Sequence, residues 1–190
     1  MQIVNIDLMI LPIYLYGQPV LRRETDEIDK TYPALKELIN DMFETLEQAD
    51  GCGLAAPQVG LSIRLFIVDG EALSADYPEC AGFKRVFINP TVVEESEDTV
   101  MFAEGCLSLP GISENVVRPR TVRIRYFDEN FVEHEDVLTG FAARIVLHEY
   151  DHLEAHVFTD RISPIRRQFC KTKLANIAKG KTTARYRTKH

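Results

Sequence analysis

The sequence predicts a protein of mixed helices and strands, and three observations support this prediction. Residues 33–48 repeat apolar side chains at the 3.6-residue period of an amphipathic helix. Residues 141–153 have similar spacing, and Pro164 opens a third, basic helical segment. Short β-branched runs bounded by turn residues lie between the helices and indicate strands. A chain of 190 residues is most simply one domain, residues 1–190, with a basic tail at about residues 180–190.

The elements follow one another in a simple order. Residues 1–16 are apolar and favour a leading edge strand, and the helix of residues 33–48 comes next with Pro33 at an early helical position. Residues 70–84 are expected to form a surface loop. Strands are predicted at residues 63–68, 86–88, 91–93, 120–127 and 131–137, and the last two form a hairpin.

Composition and cysteine usage favour a globular protein in a reducing compartment. Hydrophobic residues make up 45% and charged residues 27% of the chain, which is typical of soluble domains. The four cysteines include no C-x-x-C pair, which argues against a disulfide framework. Residues 1–16 lack a basic region and are interrupted by Asp7 and Pro12, so they predict neither a signal peptide nor a membrane span. We therefore expect a cytoplasmic protein with no membrane partner.

Charge is distributed unevenly along the chain. The net charge is −7, yet residues 160–190 contain ten lysines and arginines against one acidic residue. Such a segment indicates either contact with a polyanion such as ribosomal RNA or a solvated terminus. We expect that truncation after Lys179 leaves turnover of small substrates nearly unchanged.

The run His148-Glu149-Tyr150-Asp151-His152 is the most informative stretch. Two histidines four residues apart lie on the same face of a helix, so both rings can bind one metal ion. Glu149, beside the first histidine, can reach a water on that metal. The alternative is an exposed helix face, but the apolar residues around the run favour a buried helix, where these polar groups need partners.

Two irregular stretches contribute further candidates. Residues 51–60 are rich in small residues and form either a plain loop or a close approach to a ligand, and the Gln58 amide can donate to an oxygen that gains charge. Cys106 alone would most simply be a small buried hydrophobe. Beside two histidines, its thiolate completes a three-ligand site with an open fourth position. The arginines of residues 118–125 suggest a solvated face, and one of them is expected to pair with Glu104.

Together, residues 51–58 (GCGLAAPQ), 104–108 (EGCLS) and 148–153 (HEYDHL) resemble the three signature segments of the peptide deformylase family. The resemblance covers about residues 10–175. It implies an α+β domain of mixed, mostly antiparallel sheets wrapped around a central metal-binding helix, followed by a C-terminal helix. It also implies a metal-dependent hydrolase that removes the N-formyl group from the formyl-methionine of newly made polypeptides and releases formate. We expect a monomer.

The resemblance also assigns roles to individual residues. The metal ligands would be Cys106, His148 and His152. The catalytic groups would be Glu149 as general base and acid, with Gln58 and the Leu107 N–H stabilising the oxyanion. The substrate-binding residues would be Gly53, Cys52, Gly105, Phe141 and Ile145, the last two lining the methionine pocket. The cofactor would be one divalent ion, Fe²⁺ under physiological conditions, for which Zn²⁺, Ni²⁺ or Co²⁺ can substitute.

Two other functions remain open from the sequence. A zinc peptidase would use His148, Glu149 and His152 with His156 as a further ligand, and a Cys106→Ser variant would then keep its metal. A ribosome-associated binding protein with a structural metal would use the basic C-terminal segment. Such a protein would need neither Glu149 nor Gln58.

Overall fold

The computed structural model describes residues 9–190 and has the predicted α+β architecture. Its helices are α1 (Leu35–Gln48), α2 (Gly140–Leu153) and α3 (Pro164–Ala178). Its strands are β1 (Ile13–Tyr14), β2 (Gly53–Ala55), β3 (Leu65–Asp69), β4 (Lys84–Glu95), β5 (Thr99–Gly105), β6 (Ser113–Pro119), β7 (Thr121–Phe127), β8 (Glu133–Thr139) and β9 (Thr188–Lys189).

The central sheet has five antiparallel strands in the order β2, β3, β4, β7, β8. Strands β5 and β6 form a separate antiparallel pair, and β1 pairs with β9 in parallel. The predicted hairpin of β7 and β8 is present, with Thr121 opposite Thr139 and Phe127 opposite Glu133. Strand β2 therefore forms one edge of the central sheet, which becomes important for the site.

The central sheet is covered on both faces at β3. The side chains of this strand alternate between the two faces, as the period of a strand requires. Leu65 and Ile67 belong to the core on the side of α1, whereas Phe66 and Val68 belong to the core on the side of α2. Since all four are fully buried, β3 is apolar from Leu65 to Val68 rather than alternating in polarity.

Helix α2 is buried along most of its length, as the apolar residues around the histidines predicted. It begins at Gly140, which has a positive φ of 59°, and its last turn is closed by the His156 N–H, which donates to the Asp151 carbonyl at 2.8 Å. Ala155 has a φ of 60°, in the left-handed conformation that commonly ends a helix. The helix therefore stops before His156.

Several sequence predictions need correction. Helix α1 begins at Leu35 rather than Pro33, and residues 86–88 and 91–93 belong to the single strand β4, which continues past Pro90 with two register shifts. Residues 70–84 are not simply a surface loop, because they contain two short 3₁₀ helices and the fully buried Cys80. Strands β2, β5, β6 and β9 were not predicted: the predicted strand began only after Pro119, and the other three segments show no clear β-branched run.

The two ends of the described chain meet. The predicted leading strand, residues 1–16, lies partly outside the described residues, and only Ile13–Tyr14 is a strand within them. Its partner is β9 in the basic C-terminal segment, which therefore packs on the domain. Among residues 9–190, no helix has both the length and the apolar character needed to cross a bilayer.

Candidate metal centre and active site

Helix α2 and the segment after β5 bring together the three predicted metal ligands. His148 and His152 lie one turn apart on α2, with ring centroids separated by 5.3 Å. Cys106, directly after β5, places its Sγ 3.4 Å from Nε2 of His152. One donor atom from each of the three residues lies within 4.8 Å of the other two.

These residues fit a divalent metal ion. Tetrahedral coordination with Zn–N and Zn–S bonds of about 2.0–2.3 Å separates neighbouring ligand atoms by roughly 3.3–3.8 Å. The observed 3.4 Å between Cys106 and His152 falls in that range. Burial, with a further contribution from the charge of His148, lowers the pKa of His152 to about 3, so its ring is neutral as a metal ligand must be.

A buried carboxylate orients the first histidine. Nδ1 of His148 lies 2.9 Å from Oε2 of Glu104, so a proton on Nδ1 is donated to Glu104 and Nε2 remains available for a metal. Burial alone would raise the pKa of Glu104. Hydrogen bonds from Arg118 and His148 outweigh this effect and hold the pKa well below its usual range. Glu104 is therefore an anion, and it accepts a hydrogen bond from His148.

Two buried arginines neutralise this carboxylate. Arg118 donates to both oxygens of Glu104, at 2.6 and 2.9 Å, and also to Asp151 at 2.8 Å. Arg144 donates to Oε1 of Glu104 at 2.7 Å. The expectation that an arginine pairs with Glu104 is thus confirmed. The expectation of a solvated face is wrong for Arg118, which points into the core from β6.

Glu149 lies beside the candidate ligands and lines a cavity. Its side chain is almost fully buried, and Oε2 has no hydrogen-bond partner among residues 9–190. Burial raises the pKa of Glu149 to about 7, although the charge of His148 opposes this shift. The carboxyl group can therefore bind and release a proton near neutral pH. A Cβ on Gly53 would lie only 2.5 Å from Oε1 of Glu149, so a side chain at that position would displace the Glu149 carboxyl group.

Gln58 is held in a single orientation. Its Oε1 accepts a hydrogen bond from the Ala55 N–H at 2.8 Å, which leaves the NH₂ group facing Cys106 and Ser108. The Nε2 atom is 3.5 Å from Sγ of Cys106 and 3.3 Å from Oγ of Ser108. Because the amide cannot turn without losing the Ala55 bond, its donor side stays directed at the metal centre.

The cavity next to these groups has a volume of about 980 Å³. Cys52, Gly105, Phe141 and Ile145, to which the family resemblance assigns substrate binding, all line it, and so do Gly53 and Leu107. Phe141 stacks on Tyr77 with ring centroids 4.1 Å apart, which makes one wall aromatic. Burial, with a smaller contribution from Glu149, raises the pKa of Cys52 to about 12, so this thiol stays protonated.

Some residues around the site carried no recognisable signal in the sequence. Leu73 lines the cavity from the segment predicted as a surface loop, and Arg144 lines it from α2. Residues 183–186 of the basic C-terminal segment also line it, which does not agree with the expectation that residues beyond Lys179 are dispensable for small substrates. Residues 183–186 are distant in sequence from the three motifs, and only the folded chain brings them to the cavity.

His156 is not part of the metal centre. The candidate ligand group found among residues 9–190 consists of Cys106, His148 and His152. His156 lies beyond the end of α2 and is exposed. The peptidase alternative expected this residue on the same helical face as His152, and the left-handed turn at Ala155 prevents that.

Two histidines, a third ligand and an adjacent buried glutamate are typical of metal-dependent hydrolases, and this fold and site define a protein of that class. The family model for polypeptide deformylase matches residues 10–168. The peptide deformylase of Flavobacterium johnsoniae is 48% identical over 188 residues, which cover 95% of this chain and 96% of the relative. That of Christiangramia forsetii is 46% identical over 186 residues, covering 94% and 95%.

Solved structures agree with the sequence relatives. Peptide deformylase 1B from Arabidopsis thaliana, solved in complex with an inhibitor, matches with a TM-score of 0.80 at 37% identity and covers 90% of this chain and 91% of its own. The enzyme from Ehrlichia chaffeensis, in complex with actinonin, matches with a TM-score of 0.81 at 32% identity and covers 92% and 99%. The chain belongs to the polypeptide deformylase family, which is metal-dependent. The predicted family, fold class and enzymatic nature are therefore confirmed.

Proposed function

We propose that this enzyme removes the N-formyl group from the formyl-methionine of newly made polypeptides and releases formate. Membership of the deformylase family supports this substrate. The observation that carries the chemistry is the Glu149 carboxylate. It is buried in the cavity next to Cys106, His148 and His152, and one oxygen has no partner among residues 9–190.

Cys106, His148 and His152 are proposed to hold one divalent metal ion. When bound there, the ion supplies Lewis acidity: it lowers the pKa of water and polarises a carbonyl oxygen. A thiolate ligand suits the softer transition metals, and we propose Fe²⁺ as the physiological ion, with Zn²⁺, Ni²⁺ or Co²⁺ as substitutes. A purified Fe²⁺ enzyme should lose activity in air. Full activity of the Fe²⁺ enzyme under oxygen would count against iron as the working metal.

Glu149 is the proposed proton carrier. It accepts a proton from the water that attacks the formyl carbon, and it later donates that proton to the departing amine as the C–N bond breaks. This role requires a carboxyl group that titrates near neutral pH, and the pKa of about 7 for Glu149 is appropriate.

Two donors are proposed to stabilise the negative oxygen that develops during attack. Gln58 offers its Nε2, whose orientation is maintained by the Ala55 N–H. Leu107 offers its backbone N–H, which has no hydrogen-bond acceptor among residues 9–190. Donors fixed in advance of the reaction lower the barrier because they need no reorganisation when charge develops.

The peptide substrate is proposed to bind along β2. This strand pairs with β3 on one side only, so the backbone of Gly53 on the other side can bond to an extended peptide. Cys52 and Gly105 would form the rim beside it, and Phe141 and Ile145 would contact the methionine side chain.

The cellular setting is also a proposal. The free cysteines are consistent with a reducing cytoplasm. The basic residues of α3 and the segment after it would favour contact with ribosomal RNA, which would bring the enzyme to nascent chains. We propose that the enzyme acts as a monomer.

The test is an anaerobic preparation with metal analysis and a formate-release assay. We expect about one divalent ion per chain, formate release from a short formyl-methionyl peptide, and none from the same peptide carrying an acetyl group. A Cys106→Ser variant should lose most of its metal. Peptide-bond cleavage without formate release, or full metal retention by Cys106→Ser, would contradict the proposal.

A further inference from the structure

The C-terminal strap, defined as residues 183–189, forms one wall of the substrate cavity. Four of its residues line the same cavity as Cys106 and Glu149: Thr183, Ala184, Arg185 and Tyr186. The three motifs that identify the active site do not include this segment. Its place in the fold therefore raises the question of what it contributes there.

The strap is fixed to the domain beyond the cavity. The Ile13 N–H donates to the Arg187 carbonyl at 2.9 Å, and the Leu15 N–H donates to the Lys189 carbonyl at 3.0 Å. Ile13 and Leu15 are both fully buried, so the strand that receives the strap is part of the core. Tyr186, immediately before the first of these bonds, is consequently held in place.

Tyr186 connects the strap to the active site. Its hydroxyl donates a hydrogen bond to the Leu107 carbonyl at 2.6 Å. The ring is partly buried and packs on the apolar cluster that contains Leu109 and Leu174, with Leu107 beside it. A hydroxyl bound to a carbonyl and a ring packed on a core cluster together restrict where Leu107 can lie.

Leu107 occupies a short turn that is supported from two sides. The Leu109 N–H donates to the Cys106 carbonyl at 2.9 Å and closes the turn. The Tyr16 N–H donates to the Ser108 carbonyl at 2.8 Å on one side, and Tyr186 binds the Leu107 carbonyl on the other. Leu107 lines the cavity, and its N–H has no acceptor within the described residues 9–190.

We propose that Tyr186 is a positioning residue that holds the Leu107 N–H in place for the developing oxyanion. This inference rests on the proposed function, because it assigns a purpose to Tyr186 only if Leu107 is an oxyanion donor. A hydrogen bond that fixes a donor acts on the transition state rather than on substrate binding. The loss of this bond should therefore lower kcat and leave KM nearly unchanged.

The test compares Tyr186→Phe with Tyr32→Phe in the metal-loaded enzyme. Both variants lose one hydroxyl from a partly buried tyrosine, but Tyr32 packs against the core on the side of α1, away from the cavity. Removal of a whole oxyanion donor lowers kcat by roughly 100-fold to 1,000-fold, so its misplacement in Tyr186→Phe should lower kcat by roughly 5-fold to 50-fold. Tyr32→Phe should behave like the wild type.

Hydrogen exchange gives a second readout that does not depend on turnover. Residues 104–109 should exchange faster in Tyr186→Phe than in the wild type, with equal metal content in both. Unchanged kcat and unchanged exchange would overturn the proposal. A fall in activity that follows metal loss or a lower Tm would also overturn it, since the hydroxyl would then only stabilise the fold.

Truncation after Lys179 removes the C-terminal strap and with it one wall of the cavity. In a truncated enzyme that keeps its metal content and its fold, kcat should fall and KM should rise. A truncated enzyme with wild-type kcat and KM would contradict the role of the strap. If the wild type itself releases no formate, the proposed function fails. The exchange experiment would still show whether Tyr186 restrains Leu107.

Discussion

Arg118 and Arg123 form similar ion pairs in two very different parts of the molecule. Arg118 pairs with Glu104 in the core, and both side chains are 4% exposed. Arg123 pairs with Glu94 on the outer face of the central sheet, where the side chains are 42% and 65% exposed. The two arginines lie on consecutive strands of the same basic stretch.

The difference between them lies in what surrounds the charges. Exposed pairs contribute about 0–1 kcal/mol, because water solvates the separated charges nearly as well. In the core, removal of one partner leaves the other without solvent and typically costs about 3–5 kcal/mol. The buried pair also affects the candidate metal centre, because Glu104 orients the His148 ring through a hydrogen bond. The comparison shows that the environment of an arginine, not its residue type, decides its contribution.

Replacement of the buried arginine should have the largest effect. Arg118→Leu removes the guanidinium group that pairs with the buried carboxylates of Glu104 and Asp151. The free energy of unfolding should therefore fall by about 3–5 kcal/mol. Chemical denaturation of metal-free protein measures this change. Arg120→Leu is the control, because Arg120 is half exposed and should lose less than about 1 kcal/mol. Equal losses in the two variants would mean that burial does not separate the two kinds of arginine.

Removal of the carboxylate charge should affect metal binding. Glu104→Gln keeps the shape of the side chain but weakens the acceptor for Nδ1 of His148, so metal affinity should fall by roughly 10-fold to 100-fold. Competition with a chelator of known affinity measures the effect. The matched variant Glu94→Gln, on the exposed pair, should bind metal like the wild type. Unchanged affinity in Glu104→Gln would show that Glu104 does not orient His148.

The exposed pair should give the smallest effect. A double-mutant cycle of Arg123→Ala and Glu94→Ala should give a coupling free energy below about 1 kcal/mol, because both side chains are largely solvated. The coupling should decrease further in about 1 M salt, where the screening length is about 3 Å. A coupling energy as large as that of the buried pair would remove the distinction between the two regions.

The sequence predicted those parts of the site that depend on local periodicity. Two histidines four residues apart share a helical face in any α-helix, so the proximity of the two rings on α2 could be predicted from the 148–152 run alone. The pairing of Glu104 with an arginine followed from the expected burial of its charge. The sequence did not indicate that this arginine is Arg118, because β6 and β7, on either side of Arg120, belong to different sheets.

The remaining features depend on long-range contacts that local patterns do not encode. Tyr186 lies in a polar, basic segment with no periodicity, and only the pairing of β9 with β1 brings it to Leu107. Strand β4 appeared as two short runs because Pro90 interrupts its β-branched pattern, although the strand continues past it. In both cases packing against distant residues overrides the local sequence.

The most direct measurement for the central claim compares metal content and formate release in Glu149→Gln and the wild type. Glu149 lies next to the three candidate ligands and is not one of them, so the variant should bind the same amount of metal. Its kcat should fall by about 100-fold to 10,000-fold, because the amide of glutamine cannot accept and release the proton. A variant with a full complement of metal and nearly normal turnover would contradict the account.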